Sequence, residues 1–219
     1  MAEKLRETRR YSLLDHLVQQ SDAALRTLAG THVRELRPLP TAETAMPALD
    51  DDQRRHVAGL MRVNHSGEVC AQALYQGQAL TARLPRVARQ MEQAALEEED
   101  HLAWCEQRLR ELDSRPSVLN PLWYAMSLGI GAAAGVAGDR WSLGFVEETE
   151  VQVCAHLDGH MSTLPASDDR TRGILEQMRS DEAKHADMAR RAGATRLPGP
   201  VRSLMGAIAR VMTRSAYHV

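Results

Sequence analysis

Glu98 and His101, in "LEEEDHL", are spaced for metal chemistry. Residues three apart on a helix share a face. Glu-x-x-His therefore presents a carboxylate oxygen and an imidazole nitrogen to one point. One such pair is weak grounds, since accident alone produces it in a chain this rich in glutamate and histidine. A second pair, Glu182 and His185, stands in "SDEAKHADMA". Each pair follows a stretch carrying an acidic residue among apolar or small neighbours. Glu68 lies in "RVNHSGEVCAQALY", 30 residues ahead of Glu98, and Glu147 lies in "SLGFVEETEVQV", 35 ahead of Glu182. The chain thus repeats one unit, a helix with Glu and then a helix with Glu-x-x-His.

That order is the di-metal carboxylate plan of four-helix bundles, with four carboxylates and two histidines facing inward. Oxygen and imidazole donors suit iron or manganese, and the absence of clustered thiolates disfavours zinc or an iron–sulfur cluster. Four carboxylates also cancel the charge of two divalent ions. Without metal they would be like charges crowded in a core. Spacing alone leaves Glu147 and Glu148 open as the third-helix donor. Glu97 and Glu99 project about 100° to either side of Glu98 and read as solvated, so removing either charge should do little. Gly67 costs helix stability beside Glu68 and suggests close backbone packing there.

The helices that must carry these residues follow from apolar periodicity and breakers. The pattern predicts helices over about 52–83, 86–113, 139–163 and 167–192, with Ser167 or Asp168 as an N-cap and Gly193 as a C-cap. Amphipathic helices are expected at 11–28 and 200–217. The stretch "AGTHVRELRPLPTAETAMPALDDD" carries three prolines and no period, and reads as a linker. Residues 1–51 therefore form an N-terminal helix and linker, and 52–219 a single all-α domain. Residues 116–138 contain no charged side chain. They fit a buried central helix or a helix lying in one membrane leaflet. A true span has the length, but Asn120, Pro121 and several glycines weaken it.

Composition narrows the function classes. With 27 Lys+Arg against 29 Asp+Glu the net charge is −2, which argues against a nucleic-acid surface. Cys70, Cys105 and Cys154 are odd in number and far apart, so they read as small buried residues in a reducing compartment. The charged N-terminus shows no secretory signal pattern.

At these motifs the chain resembles the demethoxyubiquinone hydroxylases of ubiquinone biosynthesis, a ferritin-like di-iron family. The matching pieces are "RVNHSGE", "EEEDHL", "RPSVLNPLWYAMSLGIGAAAG", "VEE" and "DEAKH", and the resemblance covers about 52–217. It implies the ligands Glu68, Glu98, His101, Glu147, Glu182 and His185. The first Glu of "VEE" selects Glu147, leaving Glu150 as a solvated neighbour. It further implies a monooxygenase with two iron ions per chain, using dioxygen and a reductant such as NADH. One oxygen atom would enter the ring of a polyprenylated methoxy-methyl-benzoquinol and the other would become water. A membrane-embedded quinol implies a peripheral enzyme on the membrane surface, at the cytoplasmic face of the inner membrane if the source is bacterial. Contacts with other ubiquinone-biosynthesis proteins and a homo-oligomer are also implied.

In that setting Trp123 and Tyr124 are expected at headgroup level. His65 is expected to support Glu68 or a ligand histidine, and Tyr75, two turns from Glu68, to line the pocket. His156 reads as a structural histidine or a pocket residue. The competing readings are an iron store or ferroxidase, a peroxide-consuming enzyme, and a structural bundle with solvated carboxylates. The uncharged stretch, the lack of CxxC pairs and the repeated order of donors speak against them in turn.

Overall fold

The computed structural model describes residues 13–30 and 36–219. The first two positions of the expected 11–28 helix and residues 31–35 of the expected linker lie outside the described residues. The described residues form seven helices and no strand: α1 (Leu13–Ala29), α2 (Asp51–Thr81), α3 (Pro85–Glu111), α4 (Asn120–Ala137), α5 (Asp139–Thr163), α6 (Asp169–Arg191) and α7 (Gly199–His218). Helices α2 and α3 form one hairpin, α5 and α6 another, and α4 is the long crossover between them. That is ferritin-like connectivity.

Local chemistry sets the helix ends. Asp50 caps α2 in a reciprocal box with Gln53. The Asp139 carboxylate, in the first turn of α5, accepts from the backbone N–H groups of Arg83 and Leu84 at 2.9 Å each. It thereby fixes the tight turn into α3, which Pro85 opens. Of the two caps expected for α6, Asp168 is the one used: its carboxylate accepts from Thr171 N–H at 3.0 Å. The buried Arg108 guanidinium of α3 donates to Asp168 at 3.1 Å and to Thr171 Oγ1 at 2.8 Å, tying the hairpins together. Gly193 ends α6 with φ of 103°, where an L side chain is disfavoured.

The bundle core is layered. One apolar layer contains Val57, Met61, Leu109, Leu157, Ile174 and Met178. Another contains Ala71, Tyr75, Val87, Met91, Leu143 and Val146. Between them in sequence on every bundle helix lies a polar position: 68 on α2, 98 and 101 on α3, 150 on α5, 182 and 185 on α6. The site is thus a polar slice sealed by apolar layers.

Helix α4 is not the buried central helix allowed by its lack of charge. It lies along α2, seated by small residues. A Cβ on Gly77 would strike the backbone of Leu128 and Ala132, and one on Gly131 would strike that of Leu74. Its N-terminus is held by two of the sequence motifs. Ser66 Oγ donates to Asn120 Oδ1 at 2.7 Å, and Asn120 Nδ2 donates to His65 Nδ1 at 3.1 Å. The outer face of α4 is exposed and uncharged, with Leu122 53%, Met126 40% and Val136 62% accessible. No helix among the described residues is long and apolar enough to cross a membrane.

Trp123 and Tyr124 do not lie on that outer face. Both are buried, and Tyr124 packs with Val69, Ala73 and Leu102 while its hydroxyl donates to Gln76. The Tyr124 ring gains more by covering Val69 and Ala73 of α2 than by facing outward. Among the cysteines, Cys105 is buried while Cys70 and Cys154 are only partly covered.

Candidate metal centre

Four of the bundle helices deliver acidic and imidazole groups to the polar slice. Glu98, His101 and Glu182 are 0%, 0% and 1% exposed, and Glu68 and His185 are 3% and 6%. The geometry is that of two shared carboxylates between two histidines. His101 Nδ1 lies 2.9 Å from Glu98 Oε2 and 3.0 Å from Glu182 Oε1. His185 Nδ1 lies 3.1 Å from Glu98 Oε1 and 3.2 Å from Glu182 Oε2. Each of these glutamates therefore offers one oxygen to each histidine. Glu68 completes the His101 side, 3.7 Å from its Nδ1. The donor atoms of Glu68, Glu98, His101 and Glu182 all lie within 4.8 Å of one another.

The structure does not bring Glu147 to the cluster. Glu147 projects from the outer side of α5 and accepts from Arg190 Nε at 2.8 Å. Glu150 is 1% exposed and accepts from the Tyr75 hydroxyl. Its proton affinity is raised well above the ordinary value, first by burial and then by the charges of Glu182 and Glu98. Its partner Tyr75 meets the His185 ring edge-on, so Glu150 lies on the His185 side, as Glu68 lies on the His101 side. Helical phase decides between the two acids. Leu143, Val146 and Leu157 are the buried apolar positions of α5. Glu150 continues their stripe, whereas Glu147 is turned out of it. Burial of the apolar stripe, not the motif, sets which acid turns inward.

Outside the cluster the two histidines are held by crossed carboxylates. His101 Nε2 lies 3.3 Å from Asp181 Oδ2, and His185 Nε2 lies 2.9 Å from Glu97 Oε2. Each partner directly precedes the shared glutamate of the opposite hairpin. Glu97 is thus no idle solvated acid, although its side chain is 45% exposed. Glu99 is not solvated either; it is buried beside the cavity that α1 closes over α2 and α3, near Thr27 and Gln72. Beyond the cluster, a cleft of about 380 Å³ lined by Arg37, Glu97, Lys184 and both histidines leads to solvent.

The other expected residues separate. Tyr75 reaches the site through Glu150, its ring centroid 6.4 Å from that of His185. His65 does not support Glu68. Its Nε2 lies 3.3 Å from Glu106 and its Nδ1 is taken by Asn120, so it braces the junction of α2, α3 and α4. His156 is away from the carboxylates and stacks edge-on against His160, centroids 3.9 Å apart.

These groups fit divalent metal better than they fit one another. Both oxygens of Glu98, Glu182 Oε1 and His101 Nδ1 are buried with no aligned hydrogen-bond partner, despite contacts near 3 Å. Their lone pairs converge without donors between them, and each orphaned group costs about 1–3 kcal/mol. Proton affinities show the same strain. Burial followed by the charges of Glu182 and Glu98 pushes Glu68 up. Burial opposes charging His101 and His185, but the surrounding carboxylates outweigh it and raise both. Burial works to raise Glu98 too, yet the pull of His101 and His185 lowers it. Protons here stand in for the cationic charge that a metal pair would carry.

A model of the family described as "Ubiquinone biosynthesis protein COQ7" matches residues 55–216. The chain belongs to the COQ7 family. It is 59% identical over 211 residues to a 3-demethoxyubiquinol 3-hydroxylase of Pseudomonas putida (strain W619), covering 96% of this chain and 98% of the relative. It is 60% identical over the same length to the protein of that name from Azotobacter vinelandii (strain DJ / ATCC BAA-1303), with the same coverage. The counterpart from Stutzerimonas stutzeri (strain A1501) is 58% identical, again over 96% of this chain and 98% of its own. The COQ7 match covers α3 to α6 in full, α2 from residue 55, and every cluster residue.

Proposed function

We propose that this COQ7 protein is a 3-demethoxyubiquinol 3-hydroxylase whose two iron ions are held by Glu68, Glu98, His101, Glu150, Glu182 and His185. The observation that carries the site is the convergence of orphaned, buried donors between His101 and His185. The reaction rests on near full-length identity of about 60% to proteins of that name. When bound, the iron pair supplies dioxygen activation. One oxygen atom enters the quinol ring as hydroxyl, and the other leaves as water with two electrons and two protons from a reductant.

The chain's own residues orient and insulate. Asp181 and Glu97 accept from the Nε2–H groups of His101 and His185 and turn each Nδ1 lone pair inward. The Tyr75 hydroxyl holds Glu150. The apolar layers above and below close the slice on those two sides, so charges deep within it act at reduced dielectric.

The same reading places α4 against a membrane. Its outer face offers Leu122, Met126 and Val136 with no charge among 116–138, and that suits a lipid-borne substrate. Leu122→Glu with Met126→Glu should abolish sedimentation with anionic phosphatidylglycerol vesicles. Unchanged sedimentation counts against α4 as the contact.

The deciding experiment is anaerobic reconstitution with ferrous iron, then reductant, ¹⁸O₂ and a short-tailed demethoxy-quinone. The expected result is two irons per chain and a product carrying one labelled ring oxygen. Two irons with rapid iron or peroxide turnover and no labelled product would replace the hydroxylase reading.

A further inference from the structure

Residues 36–44, ahead of the COQ7 match, pack onto the bundle. Leu39 is buried in the apolar core, and Thr41 is gripped from α6, its hydroxyl donating to Arg170 O at 3.1 Å. Arg170 in turn donates to the carbonyls of Thr41 and Thr44. The segment is therefore a strap fixed across α3 and α6. Immediately before the fixed-φ Pro38, it delivers Arg37 to the metal centre.

Arg37 makes contacts of several kinds there. Its backbone N–H donates to Asp100 Oδ1 at 2.9 Å, and its Nε donates to the other oxygen of the same carboxylate. Its Nη2 donates to Asp181 Oδ2 at 3.0 Å. Its guanidinium carbon lies 4.8 Å from the centre of the Trp104 ring, and its carbonyl accepts from Trp104 Nε1 at 3.2 Å. Trp104 packs against His101, centroids 5.3 Å apart. The Asp181 oxygen that Arg37 holds is the one facing His101 Nε2.

Asp181 has alternatives. Lys184 Nζ donates to its other oxygen at 2.8 Å, and Gln177 donates to both at 3.1 and 3.2 Å. Both of those groups lie on α6 itself, one turn to either side, whereas Arg37 reaches the carboxylate from the strap and meets it at the oxygen that faces His101. The His185 side differs, because Glu97 is steadied by Gln93 at 2.9 Å and, among the described residues, the strap makes no hydrogen bond or ion pair to it. A planar, forked guanidinium stacked on an aromatic ring is suited to hold two carboxylates at fixed angles, which a lysine is not.

We propose that Arg37 is a positioning residue for the His101 side of the metal centre, so that the strap ahead of the bundle sets the affinity of one of its two metal positions. This rests on the two-metal reading above.

The test is an anaerobic titration of the full-length, metal-free protein with Co(II), following the ligand-field absorption and the number of ions bound. Wild type should take two. Arg37→Ala should weaken one step about tenfold, the low end for groups that orient a ligand histidine, and shift the absorption of that step alone. Asp181→Asn should weaken the same step, with Arg37→Ala adding nothing further, whereas Glu97→Gln should weaken the other. Arg37→Lys should recover the affinity only in part. Melting of the metal-free Arg37→Ala protein near the wild-type midpoint separates this from a folding defect. A wild-type titration curve for Arg37→Ala overturns the proposal, as does full additivity with Asp181→Asn. Wild-type protein that binds no Co(II) overturns the two-metal reading itself, and the Arg37 proposal with it.

Discussion

Replacing Glu150 with glutamine separates the site drawn by the fold from the one drawn by the motif. Glutamine keeps the shape and can still meet the Tyr75 hydroxyl, but it cannot ionise. Glu150 is 1% exposed, and burial with the charges of Glu182 and Glu98 already holds its proton affinity high. The metal-free Glu150→Gln protein should therefore melt no lower than wild type, since it loses a strained acid. The metal-loaded protein should behave oppositely. An ion at 100 times its dissociation constant stabilises by about 2.7 kcal/mol. For a chain of this size that is roughly 5–11 °C of melting temperature. Glu150→Gln should bind one ion instead of two and forfeit that increment. Glu147→Gln is the control, because it breaks only an exposed pair with Arg190, a kind of contact that contributes little. It should keep both ions and the full metal-dependent shift. The assay is metal per chain, with melting curves taken with and without Co(II). Loss of an ion in Glu147→Gln with both retained in Glu150→Gln would refute the placement of α5.

Further outcomes follow from the same structure. Glu68, Glu150, His101 and His185 all have folded-state affinities for protons above their ordinary values of 4.5 and 6.5. The folded state then binds more protons than the unfolded one above pH 4.5 for the acids and above pH 6.5 for the histidines. Metal-free stability should fall as pH rises through neutrality, and bound metal should flatten that slope in urea denaturation; an upward slope in the metal-free protein would contradict this. Arg108→Ala leaves the fully buried Asp168 without its cation and should cost about 3–5 kcal/mol, measured by denaturant unfolding, with a loss below about 1 kcal/mol counting against the clamp. Gly131→Ala drives a methyl into the Leu74 backbone and should cost about 1–3 kcal/mol. Gly129→Ala, which meets open space, should be neutral or stabilising by up to about 1 kcal/mol, so equal effects at the two positions would refute the α2–α4 seat.

The sequence alone determined the helical class, the breakers between helices and five of the six acidic and imidazole groups that turn inward together. Those features are local: 3.6-residue periodicity, prolines, caps, and pairs of donors one helical turn apart. The sixth donor required the phase of α5 against its neighbours, because an acid's role depends on which side of the helix the apolar stripe claims. Glu150 was one helical turn from the residue the motif favoured, and burial decided between them. Other features belonged to tertiary structure outright. Tyr124 turned inward because α2 presents Val69 and Ala73 for it to cover, Trp123 is buried beside it, and the aliphatic face of α4 was left outside. His65 became a junction brace because Asn120 and Glu106 arrive beside it from two other helices. Asp181, Glu97 and Arg37 gained their roles by crossing between hairpins, over separations as long as the 144 residues between Arg37 and Asp181. Spacing along one helix predicts which groups share a face; it carries no information on which carboxylate of another helix will stand behind a histidine.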